Sequence, residues 1–258
     1  MNDFIVSALK YRPKNFEDVV GQKHITDTLR NSIIQDKIPS AILFCGPRGV
    51  GKTSCARIYA KEINKSSIDD VESHDLSFNI FELDAASNRG IDEMKNLIDK
   101  VRIPPQIGNY KVYIIDEVHM LTPQAMNAFL KTLEEPPKHI VFVLATTEKN
   151  KILPTILSRC QIYDFNRISE NDICEKLVSV CEKEGFIYKD EAISIIAKKS
   201  DGSLRDSLTI LDRIVSFTNK NISTEKTSEI LNILDNESFL KLSNCLLYTS
   251  DAADDRVS

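Results

Sequence analysis

Eight consecutive residues, Gly46-Pro47-Arg48-Gly49-Val50-Gly51-Lys52-Thr53, match the phosphate-binding pattern G-x-x-x-x-G-K-S/T. Three of the chain's 8 glycines fall inside this stretch, a concentration that chance composition does not supply. Glycine tolerates backbone angles that turn N–H groups inward around phosphate oxygens. Gly46, Gly49, Val50, Gly51, Lys52, Thr53 and Ser54 therefore form a candidate phosphate cradle. Lys52 supplies a point charge for the β- and γ-phosphates, and the Thr53 hydroxyl can ligate Mg²⁺. A second constellation is Val112-Tyr113-Ile114-Ile115-Asp116-Glu117-Val118-His119. Four apolar residues followed by two acids read as a buried strand that ends at a reactive edge. Beside a phosphate cradle, Asp116 would hold Mg²⁺ through its water shell, and Glu117 would orient and polarise an attacking water. Leu144-Ala145-Thr146-Thr147 is another apolar strand ending in hydroxyls. Thr146 or Thr147 could sense the γ-phosphate or hold the water, although threonine is also a plain strand former. Two arginines complete the set. Arg159, in Pro154-Thr155-Ile156-Leu157-Ser158-Arg159-Cys160, sits at a short helix edge, where a lone arginine is usually a surface charge. Arg205, in Gly202-Ser203-Leu204-Arg205-Asp206, could pair with Asp206 or Asp201.

These groups need a scaffold. Ala41-Ile42-Leu43-Phe44-Cys45 reads as a buried strand, and the residues from Ser54 to Lys61 read as a helix. Strand, glycine loop and helix is the context that makes the first motif meaningful, because the helix N-terminus adds its dipole to the loop. Short apolar strands are expected at about 41–45, 80–84, 111–115 and 140–145, with helices at about 52–64, 91–101 and 123–134. The alternation predicts an α/β parallel sheet flanked by helices, with right-handed crossovers. Upstream, a helix is expected with Ile25, Leu29, Ile33 and Ile34 on one face. Pro104-Pro105 and Pro136-Pro137 break helices before the strands that follow. Beyond about residue 166 only helical periods appear, at 169–184, 190–199, 204–217 and 224–233, with no further strands expected. The chain therefore divides into an α/β domain over 1–166 and a small helical domain over 167–235.

Composition narrows the class. The chain has 258 residues, 42% hydrophobic and 28% charged, values ordinary for a globular protein. No apolar run approaches a membrane span, and the N-terminus lacks the basic and apolar regions of a secretory signal. The 6 cysteines show no C-x-x-C pair and read as reduced thiols of a cytoplasmic protein. A net charge of −5 argues against a free-standing nucleic-acid binder driven by bulk charge, while leaving room for a local basic patch within an assembly.

Taken together, these motifs resemble the gamma/tau family of ATPase subunits in the clamp loader of bacterial DNA polymerase III. The resemblance runs from about Tyr11 to Asn244. It is close in Tyr11-Arg12-Pro13, Val20-Gly21-Gln22, the glycine loop, Leu83-Asp84-Ala85-Ala86-Ser87, Asp116-Glu117-Val118-His119-Met120-Leu121, Leu130-Lys131-Thr132-Leu133-Glu134-Glu135-Pro136-Pro137, Leu144-Ala145-Thr146-Thr147, Ser158-Arg159-Cys160 and the stretch 202–206. It implies an AAA+ P-loop sheet followed by a helical lid, and ATP hydrolysis with Mg²⁺. Arg159 looks like an arginine finger acting on ATP in a neighbouring subunit. Arg205 looks like the lid residue that reaches its own γ-phosphate, and Thr146 or Thr147 like the sensor at the strand end. Tyr11, Arg12, Val19 and Val20 resemble the lining of an adenine pocket. Partners implied are other clamp-loader subunits in a pentamer, the sliding clamp, and primer-template DNA held by its phosphates. A DNA polymerase III core is implied too, reached through C-terminal sequence not contained here, and no membrane. Lys95, Lys100, Arg102 and Lys151 are candidate phosphate contacts, or ordinary solvated charges.

Two departures stand out. The family usually carries a four-cysteine zinc module after the P-loop helix, whereas residues 64–75 contain no cysteine. One histidine among carboxylates does not supply a tetrahedral site, so no structural zinc is expected, and Asp69, Asp70, Glu72 and His74 read as a solvated loop. The family's third, collar domain is represented only by 236–244, and the last stretch, 245–258, follows no structural pattern. Its start resembles the in-frame translation of a transposase-type sequencing adapter, which makes 245–258 a candidate non-native tail. Alternatives within the fold are a non-hydrolysing, stator-like clamp-loader subunit and a different AAA+ machine such as a branch-migration helicase. A nucleotide-indifferent scaffold is the alternative from another class. Intact Lys52-Thr53 and Asp116-Glu117 argue against the stator, and Ser158-Arg159-Cys160 against the other machines.

Overall fold

The computed structural model describes residues 5–65, 79–105, 108–218 and 220–232. Most of the cysteine-free loop and the whole of 236–258 lie outside these residues. Five parallel strands form the central sheet: β1 (Ala41–Cys45), β2 (Ile80–Asp84), β3 (Lys111–Asp116), β4 (Ile140–Thr146) and β5 (Gln161–Asp164), in the order β2-β3-β4-β1-β5. Every residue of β1 and β4 is buried, as expected of central strands covered on both faces. Alternation splits their side chains between two cores. Ala41, Leu43 and Cys45 join Tyr113, Phe129 and Phe142 on one face, while Ile42 and Phe44 join Cys55, Tyr59 and Phe165 on the other. Phe129 meets Phe142 edge-on at 5.0 Å between ring centroids, locking a helix to the middle of the sheet.

The helices are α1 (Ser7–Lys10), α2 (Lys23–Ile34), α3 (Lys52–Lys65), α4 (Ile91–Val101), α5 (Pro123–Glu134) and α6 (Pro154–Leu157), then α7 (Glu170–Glu184), α8 (Asp190–Lys199), α9 (Leu204–Thr218) and α10 (Thr224–Ile230). Local chemistry sets several ends. Thr122 accepts a hydrogen bond from the Ala125 N–H at 3.3 Å and Pro123 opens α5. Ser169 caps α7 in the same way, and Gly185 closes it in the left-handed conformation. The last four helices build a third core around Ile173, Leu177, Ile196, Leu211 and Ile214.

Three expectations are corrected. First, β5 was not expected. It is a short edge strand with one buried residue, so it lacks the apolar run that marks β1 and β4. Second, the helical part does contain strands: β6 (Ile187–Tyr188) pairs in parallel with β7 (Asn221–Ile222). Two residues carry no readable period. Third, Ile34 is 73% exposed, whereas Ile25 and Leu29 are buried. Nine residues beyond Ile25, at about 100° per residue, is half a turn round the helix.

Candidate functional site

The glycine loop joins β1 to α3, and its three glycines all have positive φ: 144° at Gly46, 76° at Gly49 and 105° at Gly51. A Cβ on Gly46 would stand 2.8 Å from the Phe165 Cβ, and one on Gly49 would stand 3.1 Å from the Ser203 Cβ. The loop is thus pressed between the sheet and α9, with the Arg205 N–H 3.4 Å from the Gly49 carbonyl oxygen.

Lys52, the first residue of α3, is only 6% exposed. Its Nζ donates to the Gly46 and Pro47 carbonyl oxygens at 2.8 and 2.7 Å. Burial pushes its pKa below the ordinary lysine value, and the nearby Glu117 and Asp116 carboxylates work in the opposite direction. Thr53 Oγ1 donates to Asp116 Oδ2 at 2.7 Å, which brings the end of β3 against the start of α3. Glu117 follows in a left-handed conformation with φ 49°, turning its side chain out of the strand line. Its Oε2 accepts from the Thr147 N–H at 3.3 Å and the Thr147 hydroxyl at 3.1 Å.

A cleft gathers Tyr11, Arg12, Val19, Val20, Gly49, Val50, Gly51, Lys52, Thr53, Ser54, Asp116, Glu117 and Arg205. Its wall also includes Ala8, Arg48, Ile168 and Leu208. No local pattern marks Ala8 and Leu208, because α1 and α9 reach the loop only through the tertiary fold. Gly46 and the two threonines do not line the cleft. Gly46 acts through its carbonyl on Lys52. Thr146 is fully buried and meets His119 at 3.0 Å, and Thr147 holds Glu117. Arg159 also lies outside this cleft: it ion-pairs with Glu134 at 2.8 Å and donates to the Thr155 carbonyl at 2.7 Å. Arg205 forms no ion pair among the described residues, and Asp201 pairs with Arg167. Lys151 pairs with Glu148 at 2.8 Å.

Gln22 belongs to the Val20-Gly21-Gln22 stretch. It is fully buried, and its amide donates to the Asn166 carbonyl at 2.7 Å. It pins the connection between β5 and α7 to the α/β part, beside the cleft residue Ile168.

These residues fit a nucleoside triphosphate with Mg²⁺. A Cβ at Gly46 or Gly49 of the loop would collide, a buried ammonium is held only by two carbonyls, and Thr53 with Asp116 offers the hard oxygens that Mg²⁺ prefers. Among the described residues there is no cluster of three or more His, Cys, Asp or Glu side chains that could hold a metal by itself. An ion here would be shared with phosphate oxygens. No helix among the described residues is long and apolar enough to cross a membrane.

A family model described as DNA polymerase III, delta subunit, matches residues 21–169. A second, described as DNA polymerase III clamp loader subunit, ATPase lid domain, matches 172–220. DNA polymerase III subunit tau of Bacillus subtilis is 46% identical over 227 residues, which cover 83% of this chain and 40% of the relative. Subunit gamma of Buchnera aphidicola subsp. Baizongia pistaciae is 39% identical over 256 residues, covering 95% and 69%. Subunit tau of Escherichia coli is 38% identical over 248 residues, covering 92% and 39%. The chain thus spans between 39% and 69% of the length of these relatives. Among solved structures, the Thermotoga maritima RuvB Holliday junction branch migration motor matches with a TM-score of 0.69 at 22% identity, over 88% of this chain and 75% of that one. Identity that low speaks for the fold alone: an AAA+ sheet with a helical lid. The function-bearing likeness lies in sequence, and on it the chain belongs to the gamma/tau subunit family of the DNA polymerase III clamp loader.

Proposed function

We propose that this chain is an ATPase motor subunit of a bacterial replicative clamp loader, which uses ATP binding and hydrolysis to place a sliding clamp on primer-template DNA. The observation that carries the proposal is the complete hydrolytic set at one cleft: Lys52, the Thr53–Asp116 pair at 2.7 Å, and Glu117 held by Thr147. A stator-like subunit needs none of these, and a scaffold has no use for a buried ammonium. The delta-subunit description of the model matching 21–169 is the one observation that favours the stator, and the intact set outweighs it.

The residues divide the work. Lys52 and the N–H groups of Gly49, Val50, Gly51, Thr53 and Ser54 bind the phosphates, and the Gly46 carbonyl orients Lys52. Tyr11, Arg12, Val19 and Val20 line the base side. Thr53 and Asp116 would hold Mg²⁺, which when bound neutralises charge on the phosphate oxygens. Glu117 orients the attacking water and draws on its proton. Thr147 fixes that carboxylate, and Thr146 supports the arrangement from the buried strand end. Arg205 reaches the γ-phosphate from the lid, so nucleotide state biases the angle between the α/β domain, 1–166, and the lid, 167–235. Arg159, outside its own cleft, acts on the ATP of the next subunit in a pentamer. Contacts with the clamp, with DNA phosphates and with a polymerase core, and work in the cytoplasm, are parts of the same proposal.

The test uses the full-length protein with its partner subunits, clamp and primed DNA. ATP hydrolysis stimulated by clamp and DNA is expected. Glu117→Gln should abolish it with nucleotide affinity kept, and Arg159→Ala should keep affinity and lose the stimulated turnover. Nucleotide binding without stimulated hydrolysis in the unaltered protein would support the stator instead.

A further inference from the structure

His119 has no part in the scheme above, yet it sits at its centre. It lies in a tight turn (Val118–Met120) directly after Glu117, and its side chain is only 5% exposed. Nδ1 stands 3.0 Å from Thr146 Oγ1 and 3.4 Å from Glu117 Oε2, while Nε2 stands 3.3 Å from Glu148 Oε1. Two carboxylates from different strand ends therefore flank one imidazole. The Glu148 N–H also donates to Thr146 Oγ1 at 3.0 Å, so both the main chain and the side chain of Glu148 belong to the cluster. On its outer side Glu148 holds the exposed Lys151 at 2.8 Å.

The arrangement on Glu117 is one-sided. The two bonds from Thr147 and the approach of His119 all fall on Oε2. Among the described residues nothing binds Oε1, which leaves that oxygen for a water in the cleft that Glu117 lines. A carboxylate anchored through one oxygen and open at the other is what activation of a water requires. His119 is the third member of that anchor, beside the two Thr147 bonds, and its ring is itself held by Thr146 and Glu148.

We propose that His119 is a positioning residue for Glu117, and that through Glu148 it links the hydrolysis site to the exposed cation Lys151. This rests on the reading of Glu117 as the residue that activates water. An anionic backbone that captures Lys151 removes a cation from Glu148. The carboxylate then depends on His119, and the ring shifts its hold on Glu117. The link gives a phosphodiester chain outside the cleft a four-residue route to the glutamate inside it.

The test compares steady-state hydrolysis, nucleotide affinity and melting temperature in the reconstituted assembly of the full-length protein, with and without primed DNA. His119→Ala should lower kcat about 10–100-fold, the range typical of groups that orient a reacting residue, with nucleotide affinity kept within about twofold. His119→Gln, whose amide can bridge Thr146 and Glu117, should recover part of that loss. Glu148→Gln should lower the ratio of DNA-stimulated to basal turnover, and the His119→Ala/Glu148→Gln double variant should fall short of the sum of the single effects. Turnover of His119→Ala near that of the unaltered protein, while Glu117→Gln is inactive, would overturn the proposal. So would strictly additive effects of His119→Ala and Glu148→Gln, or parallel losses of affinity and melting temperature that glutamine does not rescue. Undiminished hydrolysis by Glu117→Gln would instead overturn the underlying reading of Glu117.

Discussion

Lys52 shows how a proposed phosphate-binding residue can cost the free protein stability. Its ammonium is 6% exposed and is held by two carbonyl oxygens rather than by a carboxylate in contact. Burying a cation without a paired anion is unfavourable, and the lowered pKa is the same penalty seen from the proton's side. Two changes of opposite sign are therefore expected for Lys52→Met. Without nucleotide, the melting temperature should rise, because about 1 kcal/mol or more of desolvation cost is relieved. Nucleotide affinity should fall by about a hundredfold or more, because the charge proposed to meet the phosphates is gone. Calorimetric melting and a fluorescent-nucleotide titration on one preparation decide it: a lower melting temperature with affinity retained refutes both halves. At this scale the sequence was informative wherever residues act through local pattern. The P-loop and the Asp116-Glu117 pair could be read directly, because strand, loop and helix set their positions. His119 could not. It was visible in the motif, but its partners Thr146 and Glu148 lie at and just beyond the end of β4, and only the β3–β4 pairing brings them to it.

Between loop and helix, the tightest fit is that of Gly49 against α9. Its φ of 76° disfavours any other residue, and an added Cβ would press on Ser203 and Arg205 of the lid. Gly185 offers a control: its φ is 66°, but nothing stands within 4 Å of an added Cβ. Gly185→Ala should cost only the left-handed backbone penalty, about 1 kcal/mol of stability, and leave nucleotide affinity unchanged. Gly49→Ala should lose roughly tenfold or more in affinity, because the lid must move away from the loop. Adding Ser203→Gly should restore part of it. Ser203 caps α9 through the Asp206 N–H at 3.2 Å, but glycine at such a position costs only a few tenths of a kcal/mol. Equal affinities for the two alanine variants would show that the loop does not sense the lid. The helices and central strands were legible because their apolar periods are long. The edge strand β5, with one buried residue, and the two-residue β6–β7 pair were not, since their identity comes from the strands they pair with.

On the scale of the whole molecule, the lid is tied to the cleft by the first described residues of the chain. The four-residue α1 is too short to persist alone. The lid holds it instead: the Ser7 N–H donates to Asp212 Oδ2 at 2.8 Å, the Ser7 hydroxyl also bonds Asp212, and Lys10 and the Tyr11 hydroxyl both bond Glu184. Burial raises the Tyr11 pKa to about 12, with the Glu184 bond adding to it, so the phenol stays a donor to that carboxylate. These contacts join residues 205 and 173 positions apart in sequence, which is why no motif disclosed them. They matter because Ala8, Tyr11, Arg12 and Pro13 line the cleft, at what we propose is its base side. Asp212→Ala should therefore release α1 and loosen the base side while leaving the phosphate loop intact. The expected loss is about tenfold in affinity and the same for ADP as for ATP, since the altered contacts lie beyond the phosphates. Asp212→Asn, which keeps one acceptor oxygen, should lose less. Lys52→Met, by contrast, should weaken ATP more than ADP. Titration of both nucleotides against the three variants separates the two ends of the site. If Asp212→Ala penalised ATP selectively, the lid would act through Arg205 and the γ-phosphate rather than through the N-terminal segment.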